Sequence, residues 1–168
     1  DRTANLLYAN EGGRFTETSL VAGVAYNEAG KAEAGMGVAA GDVDDDGRAD
    51  LFVTNFQWES NTLYRNEGGG FFVDTTAAAA LAAPSVPYMG WGTAFLDYDN
   101  DGDRDLFVAN GHLDDNVELY DRCTYAQRNQ LFSNDGTGRF ADVSSQAGPA
   151  FQRLQVGRGA AVADYDDD

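Results

Sequence analysis

The sequence predicts an all-β chain: a β-propeller of four-stranded blades, with acidic loops joining the first strand of each blade to the second. Three observations carry that prediction. Two short sequence modules alternate along the 168 residues, the alternating modules together spell four short strands per unit, and half of the 28 acidic residues gather in three clusters at matching points of the repeat. Tandem four-stranded units are the pattern of blades packed around an axis.

The first module reads NLLYANEGGRF (5–15), NTLYRNEGGGFF (61–72) and NQLFSNDGTGRF (129–140). The second reads GMGVAAGDVDDDGRADLFVTN (35–55), GWGTAFLDYDNDGDRDLFVAN (90–110) and GRGAAVADYDDD (157–168). The step from the opening Asn of the first module to the first Asp of the second is 37, 36 and 35 residues in the three copies. The whole unit is 55 residues long and lengthens to 67 in the middle copy. The chain is thus organised as one partial propeller over 1–168, with repeat modules 5–55, 61–110 and 129–168 and an insertion at 111–127.

Each element follows from its residues. MGVAA is the first strand, and its flanking glycines (Gly35, Gly37, Gly90, Gly92, Gly157, Gly159) are small where inner strands crowd the axis. DLFVTN is the second, a continuous apolar run suited to a strand covered on both faces. TLYRN is the third and GFFVDT the fourth, and the Asn-Glu-Gly-Gly step between them is a hairpin signal because Gly supplies positive φ. Ala/Gly-rich linkers follow, and Ala77–Ala83 has the propensity for a helical turn, or is plain low complexity. A propeller needs ~4–8 blades; two full units and a third broken inside its loop therefore read as a piece of a longer propeller, with self-association of the piece expected and an open β-solenoid as the structural alternative.

The acidic loops have a definite spacing. Asp42, Asp44, Asp46, Gly47 and Asp50 occupy positions 1, 3, 5, 6 and 9, and Asp97, Asp99, Asp101, Gly102 and Asp105 repeat them. Alternate carboxylates on a tightly turning backbone converge on one point, Gly at position 6 permits the turn, and the position-7 carbonyl of Arg48 or Asp103 can face inward. A set of hard oxygens favours Ca²⁺, which takes 6–8 ligands, over Mg²⁺, which demands a stricter octahedron. No Cys or His lies in the loops, so zinc is a poor fit. Position 12 is Val53 or Val108 within a strand, which rules out an EF-hand with its bidentate Glu. The third loop offers Asp164, Asp166 and Asp168, without positions 6 to 9. Asp45 and Asp167, at position 4, are read as facing solvent.

These residues resemble FG-GAP/VCBS-type propeller repeats, most closely those of the cartilage-acidic-protein group, whose bacterial members often carry an ASPIC/UnbV domain. RNQLFSNDGTGRFADVSSQAGPAF (128–151) strengthens the likeness. The Phe-Gly of the repeat name is present only as Met36-Gly37, Trp91-Gly92 and Arg158-Gly159, so the likeness is to the calcium-bearing variant. The resemblance implies an extracellular or cell-envelope propeller related to the integrin α head. It implies Ca²⁺ held by Asp42, Asp44, Asp46, the Arg48 carbonyl and Asp50, and by Asp97, Asp99, Asp101, Asp103 and Asp105.

The insertion 111–127 holds the single His (His112) and single Cys (Cys123) of the chain, with Asp114, Asp115, Glu118 and Asp121 nearby. A His beside carboxylates can ligate a metal or act as a base; it is equally an ordinary loop hydrogen-bonder. Cys123 stands in no nucleophile motif. Trp58 and Trp91 read as packing between blades or as ligand-facing platforms. The net charge of −17 disfavours nucleic acid and anionic membranes as partners. No apolar run approaches the ~20 residues of a membrane span. The chain starts at Asp1 without an initiator Met, which fits a processed or excised segment. The functional expectation is a non-catalytic calcium-binding module for a protein or glycan partner. The alternative is the propeller domain of a secreted hydrolase or lyase that uses the 111–127 loop.

Overall fold

The computed structural model describes residues 3–163. The third acidic cluster, Asp164, Asp166 and Asp168, lies outside the described residues. Among the described residues, ten strands form three antiparallel sheets. A two-stranded hairpin, β1 (Tyr8–Glu11) and β2 (Arg14–Glu17), comes first. The first full blade follows in the order β3 (Gly37–Gly41), β4 (Asp50–Thr54), β5 (Thr62–Gly68), β6 (Phe71–Asp74). The second is β7 (Gly90–Leu96), β8 (Asp105–Asn110), β9 (Gln130–Asn134), β10 (Phe140–Asp142), likewise in chain order across the sheet. Each blade straddles two of the sequence modules, because a module supplies the outer strands of one sheet and the inner strands of the next.

The two blades share one register. Leu51 faces Tyr64 and Phe52 faces Leu63 in the first; Leu106 faces Phe132 and Phe107 faces Leu131 in the second. Alternation along the second strand then covers both sheet faces. Phe52 packs with Leu106, Val108 and Phe132 between the blades, edge-on to Phe95 with ring centroids 6.4 Å apart. Leu51 and Val53 point the other way and pack with Val24, Tyr64 and Leu7, towards the N-terminal hairpin. Full burial of one such aromatic or aliphatic side chain is worth about 1.5–3 kcal/mol.

The inner strands meet almost backbone to backbone. A Cβ on Gly37 would lie 2.2 Å from the Trp91 carbonyl oxygen, and one on Gly92 would lie 2.4 Å from the Ala160 nitrogen. Thr54 Oγ1 donates to the Trp91 carbonyl at 2.6 Å across this contact. Gly90 N–H donates to the Asn55 carbonyl at 3.1 Å, and Gly157 N–H donates to the Asn110 carbonyl at 2.9 Å. The segment around 157–160 therefore sits against the second blade as β7 sits against the first.

The linkers differ in detail from the sequence expectation. The helical turn after the first blade is α2 at Ala82–Ser85, and α1 is Ser19–Ala22. Ala80 takes a left-handed φ of 62°. That breaks the alanine run and turns Leu81, fully buried, into the interblade core. Two 3₁₀ turns, Val117–Leu119 and Pro149–Gln152, complete the elements. No helix among the described residues is long and apolar enough to cross a membrane.

Gly37→Ala is expected to destabilise the fold by about 1–3 kcal/mol, the usual cost of overpacking. The obstacle is a carbonyl oxygen of the neighbouring blade and not the tip of a flexible side chain. A urea-unfolding midpoint equal to that of the parent would show that the inner strands have room to spare.

Candidate functional site

The two acidic loops fold alike. In the first, Asp46 N–H and Gly47 N–H donate to the two oxygens of Asp42 at 3.1 and 2.8 Å, and Arg48 N–H donates to Asp46 Oδ1 at 2.9 Å. In the second, Asp101 N–H and Gly102 N–H donate to Asp97 at 3.1 and 3.0 Å, and Asp103 N–H donates to Asp101 Oδ1 at 2.9 Å. Both loops reverse through left-handed residues at positions 4 and 6: Asp45 and Gly47 at φ 55° and 83°, Asn100 and Gly102 at 59° and 96°. Asp and Asn are the non-glycine residues that tolerate this region best.

The turn brings position 9 back onto positions 1 and 3. Asp42, Asp44 and Asp50 each offer an oxygen within 4.8 Å of the others, and Asp97, Asp99 and Asp105 do the same. Among the described residues these are the two clusters with such geometry. Asp46 is not gathered with them; its carboxylate is engaged by the Arg48 guanidinium, which also donates from Nε to the Asn66 carbonyl at 2.7 Å. Asp101 likewise stands outside its trio and accepts the Asp103 amide. Asp103 lies beside Gly136 of the following hairpin.

Asp50 and Asp105 are fully buried at the start of the second strand. Asp50 accepts Val43 N–H at 3.0 Å and Asn66 N–H at 2.7 Å; Asp105 accepts Tyr98 N–H and Asn134 N–H, both at 2.9 Å. Desolvation pushes both carboxyls above the usual carboxylate range, and the two amide donors offset it only partly. Asp44 is raised too, by burial first and then by the neighbouring Asp46 charge. Its Oδ1 is buried with no hydrogen-bond partner. A buried carboxylate oxygen without a donor is costly unless a cation or proton supplies the missing charge. The residues present therefore fit a hard divalent cation that would take Asp42, Asp44 and Asp50 in one loop and Asp97, Asp99 and Asp105 in the other.

Two further residues hold these loops. Asn66 donates from Nδ2 to the Ala49 carbonyl at 2.9 Å, and Asn134 donates to the Arg104 carbonyl at 3.1 Å. Asn134 also reaches Val43 O at 2.8 Å, so the third strand of the second blade grips the first blade's acidic loop. In sequence both asparagines look like hairpin formers. Their recurrence one residue before Glu-Gly-Gly or Asp-Gly-Thr-Gly is the signal available, and it does not reveal the bond to the loop.

The insertion 111–127 is docked, not free. His112 is buried, accepts Asp114 N–H at its Nδ1 at 2.9 Å, and meets Phe56 edge-on at 5.9 Å between centroids. Asp121 Oδ2 accepts from Gln57 Nε2 and Trp58 Nε1, each at 3.2 Å, and the Trp58 bond is the chief cause holding its carboxyl below the usual range. Cys123 is buried, and desolvation pushes its thiol up. His112, Cys123 and the nearby carboxylates do not converge on a common point as metal ligands would. Of the two tryptophans, Trp91 packs: Arg158 lies over its ring at 4.3 Å and its Nε1 donates to the Gly111 carbonyl at 2.7 Å. Trp58 is half exposed.

Residues 42–108, which hold both loops and the blade between them, match the family described as FG-GAP-like repeat. Over 82% of its length the chain is 32% identical to cartilage acidic protein 1 of Mus musculus, covering 19% of that relative. Against cartilage acidic protein 1 of Homo sapiens it is 31% identical over 80% of its length, covering 18%. The repeat within residues 42–108 is of the FG-GAP-like type, and the chain is similar to cartilage acidic protein 1. The chain spans about a fifth of the length of the curated relatives it matches. The acidic clusters are thus the inter-strand loops of FG-GAP-like blades, a family of propeller folds.

Asn134→Ala is expected to cost about 2–3 kcal/mol, since it strips two buried carbonyls of their donor. Asn66→Ala, whose bond is more exposed and lies within one blade, should cost less than half of that. Thermal or urea melts of the two variants side by side check the order.

Proposed function

We propose that the chain is a calcium-loaded, non-catalytic interaction module of an extracellular or cell-envelope β-propeller, displaying rigid loops to a protein or glycan partner. The observation that carries the reading is the pair of matching carboxylate trios, one of which contains an oxygen buried without a partner. Ca²⁺ suits them because hard oxygens crowd one turn, and the remaining ligands of a 6–8 coordinate ion can come from Asp46, Asp101, the Arg48 and Asp103 carbonyls, or water. When bound, the cation supplies positive charge that turns mutual repulsion into a tie between first strand, second strand and loop.

A non-catalytic role draws support from the insertion, where the groups suited to chemistry are spent on architecture. His112 anchors its own turn, Asp121 clamps Gln57 and Trp58, and the Cys123 thiol is buried. Partner binding draws support from the relatives by kinship alone, and from the fold, since loops on a stiff scaffold are where recognition is placed.

Calorimetric titration of the metal-stripped chain should register one ion at each of the two described loops. Asp44→Asn and Asp99→Asn should each remove one. Chelator should lower the melting temperature, because at ~1,000 times the dissociation constant a bound ligand adds about 4 kcal/mol. Variants that bind as many ions as the parent would remove these carboxylates from the site.

The affinity should also depend on pH. Asp44, Asp50 and Asp105 have raised pKa values, so protons compete with the cation while the pH is still above the ordinary carboxylate range. Calcium affinity is therefore full at neutral pH and declines as pH falls through those raised values. In the metal-free protein the sign is opposite: the native state holds these protons more tightly than the unfolded chain, so the contribution of these groups to stability is lost as pH rises. A calcium affinity unchanged between pH 7.5 and the ordinary carboxylate range would contradict this assignment.

A further inference from the structure

At the end of the blades opposite the acidic loops lies a cavity of about 380 Å³, lined by Asn27, Lys31, Glu33, Trp58, Glu59 and Ser60 among others. We infer that this cavity is a binding site for a neutral hexopyranose unit of a glycan. The inference deepens the interaction reading above and rests on it for its biological setting, but the chemistry is carried by this pocket alone.

The aromatic wall comes first. Trp58 is 50% exposed although its indole Nε1 is hydrogen-bonded to Asp121 at 3.2 Å. Its backbone is left-handed, φ 65°, which a bulky residue adopts only when its surroundings impose it. They do: Trp58 N–H donates to the Val86 carbonyl at 2.9 Å, and Glu59 N–H closes the turn onto Phe56 O at 3.0 Å. The ring is pinned by its edge and its backbone while half of it stays open. A fixed, half-exposed indole offers a platform for a ligand with an apolar face.

The polar wall is equally set. Glu33 is 7% exposed and is held by three neutral donors: Asn27 Nδ2 at 2.9 Å on Oε1, Asn55 Nδ2 at 3.1 Å and Thr62 Oγ1 at 2.7 Å on Oε2. Asn27 is itself locked, its Oδ1 accepting the amides of Ala29 and Lys31 at 3.1 and 3.0 Å. Glu59 Oε2 accepts Ala34 N–H at 2.8 Å. The carboxylates are therefore oriented before any ligand arrives, which lowers the ordering cost of binding.

Charge selects the ligand class. Glu33, whose donors are all neutral, sits in a chain of net charge −17 and disfavours uronates and sulfated sugars. The Lys31 ammonium on the same wall opposes a cationic side chain. What remains is an uncharged molecule that can donate to carboxylates, accept from an ammonium, exchange both with the Ser60 hydroxyl and lay an apolar face on an indole. A pyranose does all four, since each hydroxyl is donor and acceptor and its C–H face is apolar.

The test is saturation-transfer difference NMR on the full chain, with methyl glucoside, methyl galactoside and methyl mannoside as neutral probes. Glucuronate and N-acetyl-lysine methylamide serve as charged probes. Signal from at least one neutral hexoside and none from the charged probes is expected. Trp58→Gly, which suits the left-handed backbone, should weaken binding at least tenfold, and Lys31→Ala and Ser60→Ala should each weaken it severalfold. Should Trp58→Gly fail to fold, the two surface variants decide. Leu119→Ser, in the exposed part of the insertion, should leave binding unchanged. No hexoside signal, binding that survives all three pocket variants, or binding of the lysine amide in place of the hexosides would each overturn the inference. Calcium titration of the same sample reads the metal loops separately, so intact calcium binding with no sugar binding removes this site and leaves the module reading standing.

Discussion

A carboxylate sealed from water needs compensating charge or donors, and the structure places one at the root of each of the two described acidic loops. Asp50 and Asp105 each receive two backbone amides, one from their own loop and one from the third strand of their blade. That arrangement makes the aspartate a three-way joint between loop, second strand and third strand. Two amides do not neutralise a full charge, and removing a carboxylate from water costs several kcal/mol before compensation. Burial accordingly pushes both carboxyls up, against the lowering effect of the two amides. The neighbouring carboxylates of Asp42, Asp44, Asp97 and Asp99 deepen the deficit if nothing positive joins them. They supply the rest of a cage if something does. The rest of the loop geometry, from the left-handed turns to the hydrogen bonds closing on Asp42 and Asp97, keeps those oxygens convergent.

This joint was legible in the sequence to an unusual degree because it is local. Spacing of 1, 3, 5, 6 and 9 within a loop fixes most of what the backbone can do, and Gly47 and Gly102 take the left-handed conformation the turn requires. Strand order and hairpins were legible for the same reason: short apolar runs and glycine turns act over a few residues. Asn66 and Asn134 were not legible as loop clamps, since their bonds to Ala49, Arg104 and Val43 span 17, 30 and 91 residues. The helical turn fell later than the alanine run suggests because Leu81 is claimed by the interblade core. Propensity is a weak prior beside burial of a leucine. Positions 5 of the loops read as ligands by spacing, yet Arg48 competes for Asp46, a contact that depends on where an arginine side chain folds.

The blades are joined at three heights. Near the axis, glycine lets the inner strands approach until Thr54 reaches the Trp91 carbonyl. At the acidic end, Asn134 of the second blade binds Val43 O of the first blade's loop. At the opposite end, the insertion lays Asp121 against Gln57 and Trp58. The apolar contact of Phe52 with Leu106, Val108 and Phe132 is flanked by directional bonds at each of these levels. Hydrophobic contact alone is non-directional and permits sliding; the added hydrogen bonds fix the angle between blades.

That third joint explains why the middle repeat is longer. The connection between second and third strands needs only the few residues 55–61 in the first blade, whereas the second spends residues 111–129 on it. The extra residues bury Val117, His112 and Cys123 and include a carboxylate, Asp121, that holds the Trp58 indole by its edge. A flexible indole beside an open cavity would collapse onto the nearest apolar surface, as exposed aromatic groups do. Bonding its single donor to Asp121, and its backbone amide to Val86, removes the rotations by which it could do so. The insertion thus acts on the neighbouring blade as a brace: it contributes no group to the cavity, and it sets the wall that the cavity presents.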